Sequence, residues 1–491
     1  MERVFLLLPV LIPVLGGITV YFIPKLKNRL ANTVALCAVV LASVAAWFLI
    51  LSGEREPFVI LEMINGLRLE LSLDGLGSFF LGLISVLWII ALIYAFGYMK
   101  NHEHLRMYFS FYVISYGVTC GIALAGNMLT LFFFYEMLTL VTIPLVIQPM
   151  TKLAKRAARK YMYFSVGGSA FAFFGLVCLI VCASSPDFVP GGAISAQTYE
   201  KYKELLDAVY VFTFLGFGVK GVVFPMCMWL PSATVAPTPT TALLHAVAVV
   251  KSGVFTIIRL THYSYGAKIL SGTPIQTWLI LLVVFTILYG SSMALRETHF
   301  KRRLAYSTIA NLSYILFGVL LFTQQGLVAG LLHFLFHSVI KIGAFFCAGN
   351  IITSTGREYT TQYKGAGRYM PVSFICFGIC GLSLMGLPYF AGFVSKWQLC
   401  VAASAQGSAA AYIGIAVLLI SALLTAVYML SIVINAFMPC REEDKKDFEK
   451  MRRTDVRMLF GAVVPSVCAA LFGFFSSYAV SIITECVKGV F

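Results

Sequence analysis

Residues 126–145 read GNMLTLFFFYEMLTLVTIPL, an apolar run that carries a single charged side chain, Glu136. A helix needs about 20 apolar residues to cross the hydrocarbon core of a bilayer. The run therefore predicts a membrane-spanning helix. Glu136 follows the turn expected at Gly126-Asn127 by about 13 Å of helix. Its carboxyl is predicted near the middle of the membrane.

The composition of the whole chain supports the same class. Of 491 residues, 60% are hydrophobic and only 12% are charged, whereas soluble domains carry about 25% charged residues. The hydropathy pattern predicts an all-α polytopic membrane protein with about 14 transmembrane helices. The predicted spans are 4–24, 31–52, 76–99, 107–125, 128–149, 161–184, 208–230, 239–260, 276–295, 303–323, 327–353, 370–400, 408–438 and 457–484.

Basic residues concentrate in alternate loops, with 24 lysines and arginines in one set of loops and 8 in the other. The richer set is 25–29, 100–106, 152–160, 296–303, 357–368 and 441–457. The poorer set is Arg3, Arg55, Arg68, Lys201, Lys203, Arg259, Lys268 and Lys488. The positive-inside rule then predicts a plasma-membrane protein with both termini outside. The net charge of +15 is thus mostly an orientation signal, and its distribution argues against a nucleic-acid-binding protein.

Four lysines lie well inside predicted spans, at Lys220, Lys251, Lys341 and Lys396. A lysine at the bilayer centre costs about 2.5–3.5 kcal/mol on insertion scales. Together with Glu136, these residues carry a penalty of order 10 kcal/mol. Intramembrane charges at such a cost indicate a path for protons or ions.

Two of these lysines lie beside helix-breaking residues. Lys220 lies in FTFLGFGVKGVVFPMCMWLP, close to Pro225, and Lys396 lies in GLSLMGLPYFAGFVSKWQL, after Gly386 and Pro388. Proline removes a helical hydrogen bond and frees a carbonyl. Interrupted spans in the two halves of a chain are typical of transporter sites.

Three titratable residues, His333, His337 and Lys341, follow one another at i, i+4 and i+8. They therefore share one helix face over about 12 Å, and such a face can carry protons or water. His245 precedes Lys251 by six residues, and its ring either joins this path or only hydrogen-bonds a carbonyl. Haem ligation by the histidines is disfavoured, because bis-histidine haem sites in membranes pair different helices.

No cofactor or metal site is predicted. Eleven of the twelve cysteines fall in predicted spans or at their edges, where cysteine behaves as a small apolar residue. No C-x2-C cluster has metal-binding spacing, and no Walker sequence occurs. Outside the spans, LRLELSLDG predicts a short hairpin within 53–75 that turns at Asp74-Gly75. The loop 439–457 predicts an amphipathic surface helix.

Seven motifs carry a family resemblance. They are SLDGLGSFF (72–80), GNMLTLFFFYE (126–136), KGVVFPMCMWLPSA (220–233), APTPTTALLHAVAVVKSGVF (236–255), KRRLAYSTIANLSYI (301–315), HFLFHSVIK (333–341) and SLMGLPYFAGFVSKW (383–397). The chain resembles the antiporter-like membrane subunits shared by respiratory complex I, Mrp-type cation/proton antiporters and membrane-bound energy-converting hydrogenases.

The resemblance implies a fourteen-helix fold with two inverted five-helix repeats and broken helices near spans 7 and 12. It divides the chain into a three-helix segment (1–106), a first repeat (107–260), a second repeat (276–438), and a loop with the final helix (439–491). Each repeat is expected to form one half-channel.

The resemblance also implies roles for the charged residues. Glu136 and Lys220 match the paired residues of the first half-channel, and Lys251 matches the linking lysine. Lys396 matches the terminal charge of the second half-channel. The connecting helix of the family corresponds to the segment with His333, His337 and Lys341.

The chain departs from the family pattern at three positions. Cys227 replaces a common histidine, Ser232 replaces a frequent aspartate, and His299 stands where an acidic residue usually precedes the lysine motif. These positions leave the access route and the transported ion open.

The resemblance implies a proton-translocating subunit of a larger membrane complex, with Na⁺/H⁺ exchange left open. Expected partners are homologous antiporter-like subunits, small membrane subunits and, in a hydrogenase-like or complex I-like parent, redox subunits. One alternative is a stand-alone secondary transporter of a solute, which requires a solute-sized polar cavity. A second is an integral membrane enzyme, which requires a catalytic constellation that the sequence does not show.

Overall fold

The protein was analysed as a computed structural model that describes residues 2–24, 27–53, 56–63, 66–183 and 187–491. Lys25 and Arg55, two of the charges used above for orientation, lie outside the described residues. The fold is all-α, with 81% of residues in helices, as the composition predicts.

The helices and strands are numbered in chain order. They are α1 (Leu8–Phe22), α2 (Asn28–Ser52), β1 (Phe58–Glu62), β2 (Arg68–Leu71), α3 (Gly75–Tyr98), α4 (Leu105–Ala123), α5 (Met128–Ile147), α6 (Lys152–Cys182), α7 (Ala196–Lys201), α8 (Lys203–Gly221), α9 (Leu230–Ala233), α10 (Thr238–Ala242), α11 (Val249–Arg259), α12 (Ala267–Leu270), α13 (Pro274–Arg296), α14 (Phe300–Leu320), α15 (Gln324–Thr355), α16 (Pro371–Met385), α17 (Ala391–Gln406), α18 (Ala409–Phe437), α19 (Glu442–Glu449), α20 (Val456–Phe474) and α21 (Ser476–Cys486).

Within the described residues, eleven helices are long and apolar enough to cross a membrane. They are Val4–Phe22, Asn28–Ser52, Gly75–Asn101, Met128–Ile147, Lys152–Cys182, Lys203–Ala233, Thr238–Tyr265, Pro274–Arg296, Gln324–Thr355, Ala409–Phe437 and Val456–Phe474. The other three predicted spans correspond to α4, to α14 and to the interrupted pair α16 and α17. Polar and basic residues in α4 and α14, and the interruption after α16, make these segments less uniformly apolar.

The helix ends gather on two faces of the bundle. On the face that carries the basic loops, here called the basic face, Arg106 donates to the carbonyl of Ile23 and Gln148 donates to that of Glu103. On the opposite face, Arg68 pairs with Asp187 at 2.9 Å. Neighbouring loops on each face thus hold the helix ends together.

Two helices form the centre of the bundle. The segment Thr238–Tyr265, which includes α10 and α11, is buried along its whole length, and α15 is 94% buried over its most apolar window. In the outer helices α1, α18 and α20 only 33% of the corresponding window is buried. Charged side chains on the two central helices therefore lie inside protein.

Two expectations are refined by the structure. The hairpin is present as β1 and β2, but Asp74 is not in its turn. Instead, the Asp74 carboxylate accepts from the Gly77 backbone N–H and caps α3. Asp, like Ser and Asn, favours this capping position. The predicted last span is also too long, because the chain leaves helical geometry at Phe475, between α20 and α21.

The loop between α18 and α20 contains the expected surface helix, α19. Arg357 donates to the carboxylates of Asp444 and Asp447 at 2.9 and 3.2 Å, and its guanidinium lies 4.7 Å from the Phe448 ring centroid. Phe448 is 3% exposed. The helix is therefore held to the basic face by one buried aromatic side chain and one arginine.

Candidate functional site

The first helix interruption lies directly after Lys220. Helix α8 ends at Gly221, Val222 adopts the left-handed conformation with φ of 56°, and helical geometry returns at Met226. Pro225 lies inside this interruption and cannot donate a helical hydrogen bond. Lys220 thus lies on the last turn of α8, where backbone carbonyls lack helical partners.

The Lys220 side chain is fully buried. Its ammonium donates to the backbone carbonyl of Tyr135 and lies 3.4 Å from the centroid of the Tyr135 ring. A cation over an aromatic face is favoured electrostatically, more strongly when water is excluded. Tyr135 was not singled out from the sequence, because an aromatic residue in a span is ordinarily read as packing.

Glu136 is the next residue of α5, but it is only half-buried. Its Oε1 accepts a hydrogen bond from the Ser169 hydroxyl of α6 at 2.5 Å. Glu136 and Lys220 do not form an ion pair within 4 Å, although the Lys220 ammonium contacts Tyr135, the residue before Glu136. The two side chains therefore lie in one region without being locked together.

Lys251 lies where α11 meets α8. A Cβ added to Gly253 would overlap the Gly221 nitrogen and the Lys220 carbonyl carbon. Only glycine permits this approach. Lys251 Nζ points toward α15, donates to the Phe334 carbonyl at 3.0 Å, and lies 4.3 Å from the Phe334 ring centroid.

His333 lies next to Phe334 on α15 and connects the surroundings of Lys251 to the second interruption. Its Nδ1 lies 2.9 Å from Ser395 Oγ and its Nε2 lies 3.2 Å from Asn311 Oδ1. With Nε2 donating to the Asn311 oxygen, Nδ1 is left to accept from the Ser395 hydroxyl. Ser395 immediately precedes Lys396.

Lys396 contacts the second interruption from the C-terminal side. Helix α16 ends at Met385, Gly386 has φ of 88°, and α17 begins at Ala391. Lys396 Nζ donates to the carbonyls of Leu384 and Met385 at 2.6 and 3.3 Å. These carbonyls would be unpaired at a helix end, so the ammonium satisfies them.

His337 and Lys341 lie about one and two turns beyond His333 on α15. The His337 ring centroid is 6.0 Å from that of His333. Lys341 Nζ donates to the Leu304 carbonyl of α14 at 3.0 Å. Lys341 is completely buried, so its ammonium does not extend to a membrane surface.

His245 lies in a π-helical turn, Leu243–Val247, that the sequence did not indicate. The turn ends at Ala248, whose φ of −99° and ψ of −84° separate it from α11. Single π-helical turns occur frequently at functional sites. Among the described residues, neither ring nitrogen of His245 or of His337 has a hydrogen-bond partner.

We name Lys220, Lys251, His333, His337, Lys341 and Lys396 the buried file. Lys251 contacts Phe334, the neighbour of His333, and His333 contacts Ser395, the neighbour of Lys396. Lys220 lies where α8 meets α11, and His337 and Lys341 lie one and two turns beyond His333 on α15. Tyr135, Asn311, Ser395 and Phe334 support these contacts and were not predicted. In the described part of the chain, no group of three or more His, Cys, Asp and Glu residues could hold a metal ion.

Another buried cation, Arg259, was not predicted from the sequence. Its guanidinium donates to both carboxylate oxygens of Asp74, at 2.5 and 2.6 Å, and the residue is 1% exposed. The sequence placed Arg259 among the loop charges, since it lies near the end of a predicted span. The pair instead ties α11 to the start of α3.

The three positions that depart from the family pattern lie toward the basic face. Cys227 is fully buried, and Ser232 accepts a hydrogen bond from Lys160 at 3.3 Å. His299 Nε2 lies 3.2 Å from the Glu358 carboxylate. None of the three belongs to the buried file.

A helical membrane bundle with two interrupted helices and a file of buried lysines and histidines defines a class, the polytopic membrane proteins with a charged interior. The sequence profile of the NADH:quinone oxidoreductase/Mrp antiporter transmembrane family matches residues 125–428. The match covers more than half of the chain, and the chain belongs to this family. The family resemblance carried by the seven motifs is confirmed.

Curated relatives fall in two functional groups. The chain is 28% identical over 397 residues to NADH-quinone oxidoreductase subunit N of Desulforudis audaxviator, covering 80% of this chain and 75% of that protein. It is 26% identical over 482 residues to a Na⁺/H⁺ antiporter subunit of Bacillus subtilis, covering 96% and 93%.

Solved structures share the fold. A chain of the Mrp complex from Dietzia sp. DQ12-45-1b superposes with a TM-score of 0.86 at 21% identity, covering 100% of this chain and 98% of that one. A chain of the membrane-bound sulfane sulfur reductase, an archaeal respiratory membrane complex, gives 0.85 at 21% identity, covering 99% and 98%.

Proposed function

We propose that this chain is a proton-translocating subunit of a multi-subunit membrane complex. The observation that carries the proposal is the buried file, which links the two helix interruptions through the centre of the bundle. Intramembrane ionisable groups are expensive and ordinarily mark ion or proton pathways. Six such groups in one buried region provide single stations for protons rather than one pocket for a solute.

Proton transfer along the file would use the amines and imidazoles as alternating donors and acceptors. Backbone carbonyls such as those of Tyr135, Phe334 and Leu384 stabilise an ammonium at its station. His245 and His337 have no hydrogen-bond partner among the described protein groups, and water would complete their hydrogen bonds. Ordered water bridges such gaps with little loss of enthalpy.

Coupling between stations follows from their proximity. Each added proton places a positive charge beside the next group, so the groups titrate as a set. Glu136 favours a proton on Lys220, and its half-buried position lets that influence change with the hydration of its carboxylate. Movement of Glu136 relative to Lys220 would therefore load or unload the first station.

The proposed architecture has 14 transmembrane helices with two inverted five-helix repeats, over 107–260 and 276–438. Residues 1–106 and 439–491 would flank these repeats. The interruption after α8 and the one between α16 and α17 would then occupy corresponding places in the two repeats. We propose further that the complex lies in the plasma membrane with both termini of this chain outside.

The parent complex is either an Mrp-type antiporter or a complex I-like or hydrogenase-like assembly. Partners would be homologous antiporter-like subunits and small membrane subunits, with redox subunits in the second case. Na⁺/H⁺ exchange belongs to the first case. A stand-alone solute transporter is less well supported, because cavities of about 620, 360 and 400 Å³ are lined by loops and helix ends.

The deciding experiment compares Glu136→Ala and Lys220→Ala in the assembled complex, reconstituted in vesicles with a pH-sensitive dye. Both variants should assemble and lose proton transport to background. Lys268→Ala, an exposed lysine of the opposite face, is the matched control and should transport normally. Normal transport by either test variant would refute the assigned path.

A second measurement addresses the need for partners. The isolated chain has no energy source of its own in this proposal, so reconstituted alone it should show no coupled pumping. Activity should return with the complete complex. Coupled Na⁺/H⁺ exchange by the single chain would instead support the stand-alone transporter.

A further inference from the structure

A cavity of about 360 Å³ opens on the basic face, between the start of α6, the short helix α9 and the loop from α13 to α14. Three cationic side chains line it, Arg156, Lys160 and Arg302, together with one carboxylate, Glu297. The cavity lies apart from the buried file. Its lining carries an excess of positive charge.

The three cations lack the carboxylate partners that other basic residues of the same face have. In the part of the chain that the structure describes, no carboxylate lies within 4 Å of their nitrogen atoms. Lys160 has one hydrogen bond, to Ser232 at 3.3 Å. By contrast, Arg357 and Arg457 on the same face form ion pairs.

Two of these cations also repel each other along the helix. Arg156 and Lys160 are four residues apart on α6, so both project from one side of the helix, where like charges are destabilising. Glu297 is one carboxylate against three cations, it forms no ion pair with them within 4 Å, and its Oε1 accepts from the His299 backbone N–H at 3.0 Å. An anion bound between the three cations would relieve this repulsion.

An apolar row continues from the cavity toward the middle of the bundle. Tyr306 lines the cavity, and the ring centroids of Tyr306, Tyr289, Phe224 and Phe285 follow at 6.4, 5.2 and 5.0 Å. Phe285 is 50% exposed. On α13, Phe285 at the end of the row lies about 16 Å along the helix axis from Arg296, the depth of several acyl-chain carbons.

We propose that this cavity binds the phosphate headgroup of an anionic phospholipid, with an acyl chain lying along the aromatic row. Guanidinium and ammonium groups bind phosphate through charge-assisted hydrogen bonds. Basic pockets between transmembrane helices are a recognised form of anionic headgroup site. The adjoining apolar row distinguishes a lipid from a soluble phosphate, which would make no use of it.

The site is placed to influence the first helix interruption. Phe224 belongs both to the aromatic row and to the segment between α8 and Met226, four residues after Lys220. An acyl chain on Phe224 and Phe285 would pack directly against that segment. The bound lipid would therefore restrict its movement.

The test uses the purified complex, depleted of lipid and titrated with phosphatidylglycerol or phosphatidylcholine while bound lipid is counted by native mass spectrometry. The test variant is Arg156→Gln/Lys160→Gln/Arg302→Gln. The matched control is Lys364→Gln/Arg368→Gln/Lys446→Gln, three exposed cations of the same face. Phosphatidylglycerol affinity should fall at least about tenfold in the test variant only.

Two further variants keep the proposal testable if the triple variant fails to assemble. Glu297→Gln removes the one carboxylate of the lining and should raise phosphatidylglycerol affinity. Phe285→Ser, at an exposed position, should weaken phosphatidylglycerol binding and leave the binding of inorganic phosphate unchanged. If neither variant changes the affinity for phosphatidylglycerol, the proposal is overturned.

Comparing phosphatidylglycerol, phosphatidylcholine and inorganic phosphate distinguishes a lipid headgroup from free phosphate as the ligand. Preference for phosphatidylglycerol over phosphatidylcholine, retained in millimolar inorganic phosphate, supports the lipid. Equal loss in the test and control triples would indicate a diffuse charge effect and overturn the site. Inorganic phosphate that binds the cavity as tightly as the lipid and displaces it would overturn the lipid assignment.

Discussion

The two helix interruptions hold their lysines in different ways. Lys220 precedes its interruption and donates to the carbonyl of Tyr135, which is the residue before Glu136 on another helix. Lys396 follows its interruption and donates to carbonyls of the helix that the interruption ends. The first lysine lies beside the residue that precedes the half-buried Glu136, and the second is linked to His333 through Ser395. Similar breaks in two helices would thus serve different stations of the proposed path.

The largest expected effect tests whether both lysines must release a proton. Lys220→Arg and Lys396→Arg keep the positive charge, but arginine does not deprotonate in proteins. Both variants should assemble and lose transport to background in reconstituted vesicles. Lys268→Arg serves as control and should behave as wild type. If Lys396→Arg transports normally while Lys220→Arg does not, the second lysine only satisfies the carbonyls of its helix end.

A second prediction concerns the close contacts at each interruption. A Cβ at Gly392 would overlap the Ser383 carbonyl oxygen, and one at Gly253 would overlap the Gly221 nitrogen. Gly392→Ala and Gly253→Ala should each lower the free energy of unfolding by about 1–3 kcal/mol through overpacking. Thermal unfolding of the complex in detergent measures this.

Gly167→Ala is the control for both alanine variants, since a Cβ there meets nothing within 4 Å. It should leave the melting temperature unchanged. Equal melting temperatures for all three variants would show that the helices at the interruptions can separate without cost, and the comparison between the two regions would lose its structural basis.

A smaller effect is expected at the link between His333 and Lys396. Ser395→Ala removes the hydroxyl partner of His333 Nδ1, which costs about 1–3 kcal/mol when the ring nitrogen stays buried and unpaired. Transport should slow severalfold and retain its dependence on Lys396. Ser404→Ala, at an exposed position of the same helix, should have no effect. An unchanged transport rate in Ser395→Ala would remove His333 from the route to the second interruption.

The smallest effect lies outside the spans, beside the start of α5. Burial and the nearby Asp187 raise the pKa of Glu70 to about 7, although Arg68 opposes the shift. Between pH about 4.5 and about 7 the folded protein keeps a proton that the unfolded chain releases, so stability should fall as pH rises through this window. Glu70→Gln should flatten the melting temperature over that range.

The control for the pH experiment is Glu449→Gln, an exposed carboxylate of α19. It should leave the pH profile of melting unchanged. A wild-type profile in Glu70→Gln would show that another group causes the pH dependence. Glu70 would then not be the titrating group beside α5, and the pH dependence would no longer distinguish this region from the second interruption.

The sequence alone predicted the membrane class and, through its motifs, the family. It also singled out the six residues of the buried file, whose role in transport stays a prediction. Burying charge in lipid carries a large penalty, so a lysine within an apolar span is a strong local signal. Glycine and proline mark helix interruptions in the same local way. The positions of Lys220 and Lys396 could therefore be read from neighbouring residues.

Only the tertiary structure decided which groups each lysine meets. Lys220 and Lys251 donate to the backbone carbonyls of Tyr135 and Phe334. Every residue has a backbone carbonyl, so no sequence pattern marks these two as acceptors. The ion pair between Arg259 and Asp74 joins residues 185 positions apart. The cations of the cavity proposed to bind lipid likewise come together from α6 and α14. The packing of distant helices, and not local propensity, sets such side-chain contacts.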